Sequence, residues 1–124
     1  METSPESVKQ IPIEENIRSI AYTEEYVGLV TDNVEGGDPY SLKIFDKEGN
    51  TVFDRTFNYQ YTGFDIDGGL VLLYNDSSCK VFNMTGTEKY NGTFEFTVSK
   101  VSAGRFPGTL LVMGPQMMME IKLQ

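Results

Sequence analysis

SLKIFDKEGNTVFDRTF, residues 41–57, and SCKVFNMTGTEKYNGTF, residues 78–94, are one pattern written twice. Each starts at Ser, climbs to hydrophobic-Phe, passes a polar link containing Gly and closes on Thr-Phe. The spacing is constant: Phe45 to Phe82, Gly49 to Gly86, Thr56 to Thr93 and Phe57 to Phe94 are each 37 residues apart. A fixed period of that length marks a repeat architecture, whose unit buries its apolar face only by stacking on a neighbour.

The repeat extends outward in both directions. YTGFDIDGGLVLLYND, residues 61–76, lies over IRSIAYTEEYVGLVTD, residues 17–32, with Tyr61, Phe64 and Ile66 falling 44 residues after Ile17, Ile20 and Tyr22. The 7-residue excess over the period is the longer loop from Asp32 to Pro39. A third copy repeats the spacing at Val98, Val101 and Ala103; Leu110 to Met113 then aligns with Leu70 to Leu73, and Met119-Glu120-Ile121 with Cys79-Lys80-Val81. Short runs rich in Val, Ile, Tyr, Phe and Thr alternate with Gly, Asn, Asp and Pro turns, and no window holds a 3.6-residue apolar period of helical length. The chain reads as all-β, each unit predicting four antiparallel strands, apolar on the inside and more polar outermost. A four-stranded unit of about 40 residues, repeated, is a β-propeller blade.

The ends carry the closure. Ile13 lies 44 residues before Phe57, so Gln10 to Ile13 occupies the place of a fourth strand, whereas the third copy stops after its third. The sequence predicts that this N-terminal strand completes the last blade beside Met118 to Lys122, which removes an open edge. Residues 1–8 read as a flexible tail and residues 9–124 as a three-bladed propeller half. Three blades do not close a ring, since propellers typically carry four to eight. Two arrangements cover the apolar faces left at the ends: a homodimer joined head to tail into six blades, or an N-terminal half of the same protein that precedes this one.

Composition limits the chemistry. The 124 residues hold enough apolar side chains, 40%, for one packed domain. A net charge of −8 with scattered Lys and Arg argues against nucleic acid. No apolar run has the length of a membrane helix, so no direct membrane insertion is expected. The absence of His removes Ser-His and Cys-His nucleophile pairs and His-ligated metals, and a single Cys forms no zinc site; no cofactor is expected. Cys79 aligns with Leu42 and Met119, both apolar, and is read as a buried structural thiol. The Met117 to Met119 run is read as core packing. Asp65 and Asp67 in DIDGG lack the downstream ligands of a calcium loop and are read as part of a hairpin turn. The sequons at Asn75, Asn83 and Asn91 use residue types that also build turns.

The phrases TGFDIDGGLVLLYNDSSCKVFNMTG and GRFPGTLLVMGP resemble the C-terminal blades of a family of uncharacterised bacterial propeller proteins, within the WD-repeat and pyrroloquinoline-quinone-like propeller superfamily. The resemblance implies a propeller held outside the cytoplasm on an N-terminal membrane anchor. It transfers no activity, and the chain lacks the Trp of true WD repeats and of quinoprotein docking motifs.

In an up-and-down meander, the loops between second and third strands and the links between blades emerge at one end, and loops on a rigid scaffold are where function resides. The candidate binding residues at that end are Asp32, Glu35, Asp38, Tyr59, Asn75, Asp76 and Gln116. The function expected is non-catalytic binding or scaffolding within a cell-envelope protein. The alternative is a carboxylate-dependent, glycosidase-like hydrolase at the channel mouth, using the acids of the Asp32 to Asp38 loop.

Overall fold

The computed structural model describes residues 10–123, so the tail expected at 1–8 lies outside the described residues. Eleven strands follow one another: β1 (Ile17–Tyr22), β2 (Tyr26–Asp32), β3 (Tyr40–Asp46), β4 (Thr51–Phe57), β5 (Gly63–Asp67), β6 (Leu70–Tyr74), β7 (Ser78–Asn83), β8 (Glu88–Thr93), β9 (Lys100–Ala103), β10 (Thr109–Met113) and β11 (Met118–Lys122). Among the described residues there is no helix. Three antiparallel sheets result, β1-β2-β3-β4, β5-β6-β7-β8 and β9-β10-β11, each a simple meander. They are blades: β5 approaches β1 on one side and β9 on the other at the inner edge, and one apolar core fills each gap between neighbours.

The 37-residue period is reproduced down to its irregularities. Sheet 1 has a bulge between Ile44 and Phe45, and sheet 2 has one between Val81 and Phe82, the same step one period later. The turn that follows is built alike. Asp46 Oδ1 accepts from the Glu48 and Asn50 amides, and Asn83 Oδ1 accepts from those of Thr85 and Thr87. Gly49 and Gly86 then take positive φ, 87° and 84°, where a Cβ would be strained.

Each sheet has two faces, and pairing fixes which residues share one. The leading face of sheet 2 carries Ile66, Val71 and Phe82 in one cross-strand row and Phe64 and Leu73 in the next. It packs on the trailing face of sheet 1, where Val30, Leu42 and Ile44 are fully buried. The trailing face of sheet 2, with Leu72, Cys79 and Val81, packs in the same manner on Val101, Leu110 and Val112 of sheet 3. Sheet 1's own leading face holds the matching rows, Tyr22-Val27-Phe45 and Ile20-Leu29-Lys43. Among the described residues no sheet covers it, and Tyr22 and Ile20 are 74% and 58% exposed.

Three expectations are corrected. Gln10 to Ile13 is not a strand beside β11; it runs across the leading face of sheet 1, lining cavities with Val27, Leu29 and Phe45, and sheet 3 has three strands. Within one chain, the uncovered apolar face of sheet 1 competes for Ile11 and Ile13 more strongly than a lone strand edge does. The third copy is also offset by one residue. Ala103 pairs with Leu110 as Ile66 pairs with Val71, so Leu110 answers Val71 and Ile121 answers Phe82. Cys79 therefore matches Met118, not Met119. The cause is the β9-β10 loop, longer than the tight Gly68-Gly69 turn between β5 and β6, in a run, TLLVM, whose apolar residues fall on both faces. Finally, the methionine run is not core. Met117, Met118 and Met119 are all exposed, because β11 is an outer edge.

Candidate functional site

All seven candidate residues stand at the end of the stack where the β2-β3, β6-β7 and β10-β11 loops meet the links between sheets. They do not converge on one point. Five of them, Asp32, Asp38, Tyr59, Asn75 and Asp76, are tied to their own sheet or link. Asp32 accepts from Arg18 at 3.0 Å and from Asn16 Nδ2 at 3.3 Å. Asp38 accepts from Thr56 Oγ1 at 2.9 Å, while its carbonyl and that of Gly36 accept from Asn33 Nδ2. Glu35 is exposed, next to Val34 at the tip of that loop, which is 74% exposed.

Tyr59, in the link from sheet 1 to sheet 2, is half-buried and shares a 2.7 Å hydrogen bond with Ser78. Burial pushes its phenol up, against the bond to Ser78, which lowers it. Asn75 completes the joint: Nδ2 donates to the Gln60 carbonyl at 2.8 Å and Oδ1 accepts from the Ser77 and Ser78 amides. Asp76 acts through its backbone, its carbonyl accepting from the Val98 amide at 2.9 Å. Gln116 lines a shallow cavity of about 380 Å³ with Phe96, Thr97, Pro115 and Met117. These are joints between one sheet and the next. Through Tyr59, Asn75 and Asp76 they brace the rim from one sheet to the next.

Residues outside the predicted set reinforce the same rim. Arg18, besides holding Asp32, lies 5.9 Å from the centre of the Tyr40 ring. Tyr40 packs on Phe57 and Tyr61, with ring centres 5.3 and 5.7 Å away, and Tyr61 shares a 2.7 Å hydrogen bond with Ser19. The available signal was the polar pair Arg18-Ser19 set between the apolar Ile17 and Ile20. At the opposite end, Asp67 Oδ2 accepts the Ala103 amide at 3.0 Å and Asp65 faces Lys100 at 3.8 Å. DIDGG thus fastens sheet 2 to sheet 3. Arg55 does the same for sheets 1 and 2, with its guanidinium 4.5 Å from the Phe82 ring centre and a bond to the Gly86 carbonyl.

Cys79 is fully buried between sheets 2 and 3, and desolvation pushes its thiol up to about 12. It is a packing residue, not a nucleophile at neutral pH. Two sequon asparagines, Asn75 and Asn83, spend their side-chain oxygens closing turns, and the Asn75 amide nitrogen is engaged as well. Among the described residues no group of three or more Asp, Glu or Cys side chains gathers as a metal cage would.

Residues 1–123 match a family described as "Family of unknown function (DUF5711)". No curated protein matches the chain. Among solved structures, "Crystal structure of the computationally designed Ika4 protein" is similar in fold, with a TM-score of 0.57 at 15% identity, covering 89% of this chain and 67% of that one.

Proposed function

We propose that this chain, which belongs to the family of unknown function DUF5711, is a non-catalytic propeller module that presents a rigid loop rim to a binding partner. The observation that carries the reading is the loop from Asn33 to Pro39. It is seven residues longer than its counterpart in the second unit, its base is closed by the Asn33 amide to the Pro39 carbonyl at 2.9 Å, and its tip sets an exposed valine beside two glycines of positive φ. An apolar tip on a braced base suits recognition of a macromolecular surface. By its resemblance to anchored bacterial propellers, the module belongs to a cell-envelope protein.

The carboxylate-hydrolase alternative lacks a matching constellation. Hydrolysis of a glycoside needs two carboxyl groups facing one another across the scissile bond. Here the Asp32 and Asp38 carboxylates are held by Arg18 and Thr56.

The test is an array of immobilised peptides and glycans, probed with the wild-type chain and with a variant whose Val34–Asp38 segment is cut to Asn-Gly. Saturable signals lost in the loop variant support the reading. Signals that survive the cut, or no signal at all, overturn it, as does glycoside turnover that Asp32→Asn abolishes.

A further inference from the structure

We infer that the uncovered leading face of sheet 1 is the seat of a second copy of this chain, whose sheet 3 docks there by its trailing face. The inference rests on the propeller reading above, and not on the loop rim. Its basis is the rule by which the chain already stacks. Two interfaces within the molecule join a trailing face to a leading face, and the rows Tyr22-Val27-Phe45 and Ile20-Leu29-Lys43 continue that series one step further. What fits such a face is a trailing face of this chain's own pattern, and sheet 3 has one uncovered.

That trailing face carries Leu111, Met113, Met118 and Glu120, by their pairing in β10 and β11. In register, Leu111 stands where Leu72 and Gly28 stand, Met118 where Cys79 and Leu42 stand, and Glu120 where Val81 and Ile44 stand. Leu111 is therefore directed to Tyr22 of the other copy, as Gly28 is to Ile66 here. Glu120, held by Arg105 at 2.9 Å, arrives beside Val27 and Phe45, where Lys47 supplies an opposite charge. The two open faces lie at opposite ends of one chain. Two copies joined head to tail use both faces twice and bring the blades to six, a closed number.

The segment from Gln10 to Ile13 has a part in this. It covers sheet 1 incompletely, leaving cavities of about 340 and 420 Å³ along its length. When the second copy takes that face, the segment is displaced to the copy's β11, the edge at which the repeat lacks a fourth strand. Pro12, which cannot donate to a central ladder, is compatible with an outermost strand.

The test is sedimentation of the full chain with two single variants at exposed positions, Tyr22→Lys on the leading face and Met118→Lys on the trailing face. The wild type is expected at twice 13.9 kDa, and each variant alone as a monomer with unchanged far-ultraviolet dichroism. An equimolar mixture regains dimer, because a mixed pair keeps one unaltered interface. A wild type that stays monomeric at about 100 μM overturns the inference and leaves the face to another chain's sheet. A dimer indifferent to Met118→Lys overturns it too, since it would join two leading faces. A monomer that still gives loop-dependent array signals removes the dimer alone. A dimer without such signals removes the binding function alone.

Discussion

Thr31 is the residue where the leading face of sheet 1 departs from its repeat. It is fully buried and its hydroxyl has no hydrogen-bond partner among the described residues, whereas its counterpart one unit later, Asn75, closes a network with Ser78 and Gln60. A buried hydroxyl left unpaired costs about 1–3 kcal/mol, and Val has the same shape. Thr31→Val is expected to raise stability by about 1 kcal/mol, a rise in Tm of about 4 °C by calorimetry. Cys79 makes the converse point. Its thiol is raised from 9.0 to about 12 by burial, so the unfolded chain loses this proton first as pH rises. The contribution is intact below pH 9 and is lost between there and about 12, so the urea midpoint falls with pH in that window, more steeply than in Cys79→Ala. A thiol reagent at pH 8 should label Cys79 only after denaturation. The burial of Cys79 was legible from its alignment with Leu42. The orphan hydroxyl was not, because nothing in a strand reading Leu-Val-Thr-Asp says which neighbour a threonine will lack.

Among the elements, the strands and turn chemistry of the first two units were legible because two copies check each other: Asp46 and Asn83, or Gly49 and Gly86, confirm a turn that neither establishes alone. Register in the third copy was not. TLLVM is apolar on both faces, so hydropathy tolerates either phase, and only the pairing of Ala103 with Leu110 decides it. The contacts that join elements were hidden as well, since Asp67 read as part of a hairpin turn and nothing in the pattern singled out Arg55. Arg55→Ala is expected to cost about 1 kcal/mol in urea unfolding by removing the stack on Phe82 and the bond to the Gly86 carbonyl. Arg55→Lys should recover little, because an ammonium lacks the planar group that stacks. Gly28 tests the same interface from inside. A Cβ there meets Ile44 Cδ1 at 2.8 Å and Ile66 Cδ1 at 2.9 Å, so Gly28→Ala should destabilise by about 1–3 kcal/mol through crowding where sheet 2 packs on sheet 1.

At the scale of the molecule, the sequence pattern placed Gln10 to Ile13 on β11 and the chain by itself places it on sheet 1. Both set Ile11 and Ile13 against apolar surface, and they differ in whether a second copy is present to take the leading face. The candidate rim follows the same division: its location was legible from meander topology, but not its bracing, which depends on Tyr59 and Asn75 reaching across from one sheet to the next. Hydrogen exchange separates the two positions of the segment. An edge strand has every second amide facing outward without a partner, so in the lone chain the outward amides of β11 exchange freely. If strand exchange accompanies docking, those amides become protected about tenfold or more as protein concentration rises, together with the edge residues of the rim links. Ile11→Asp with Ile13→Asp should abolish that protection while leaving β10 unchanged, since β10 is paired on both sides within its own chain. Free exchange at β11 across the whole concentration range, in a protein that sediments as a dimer, would mean that the segment leaves sheet 1 without pairing with β11.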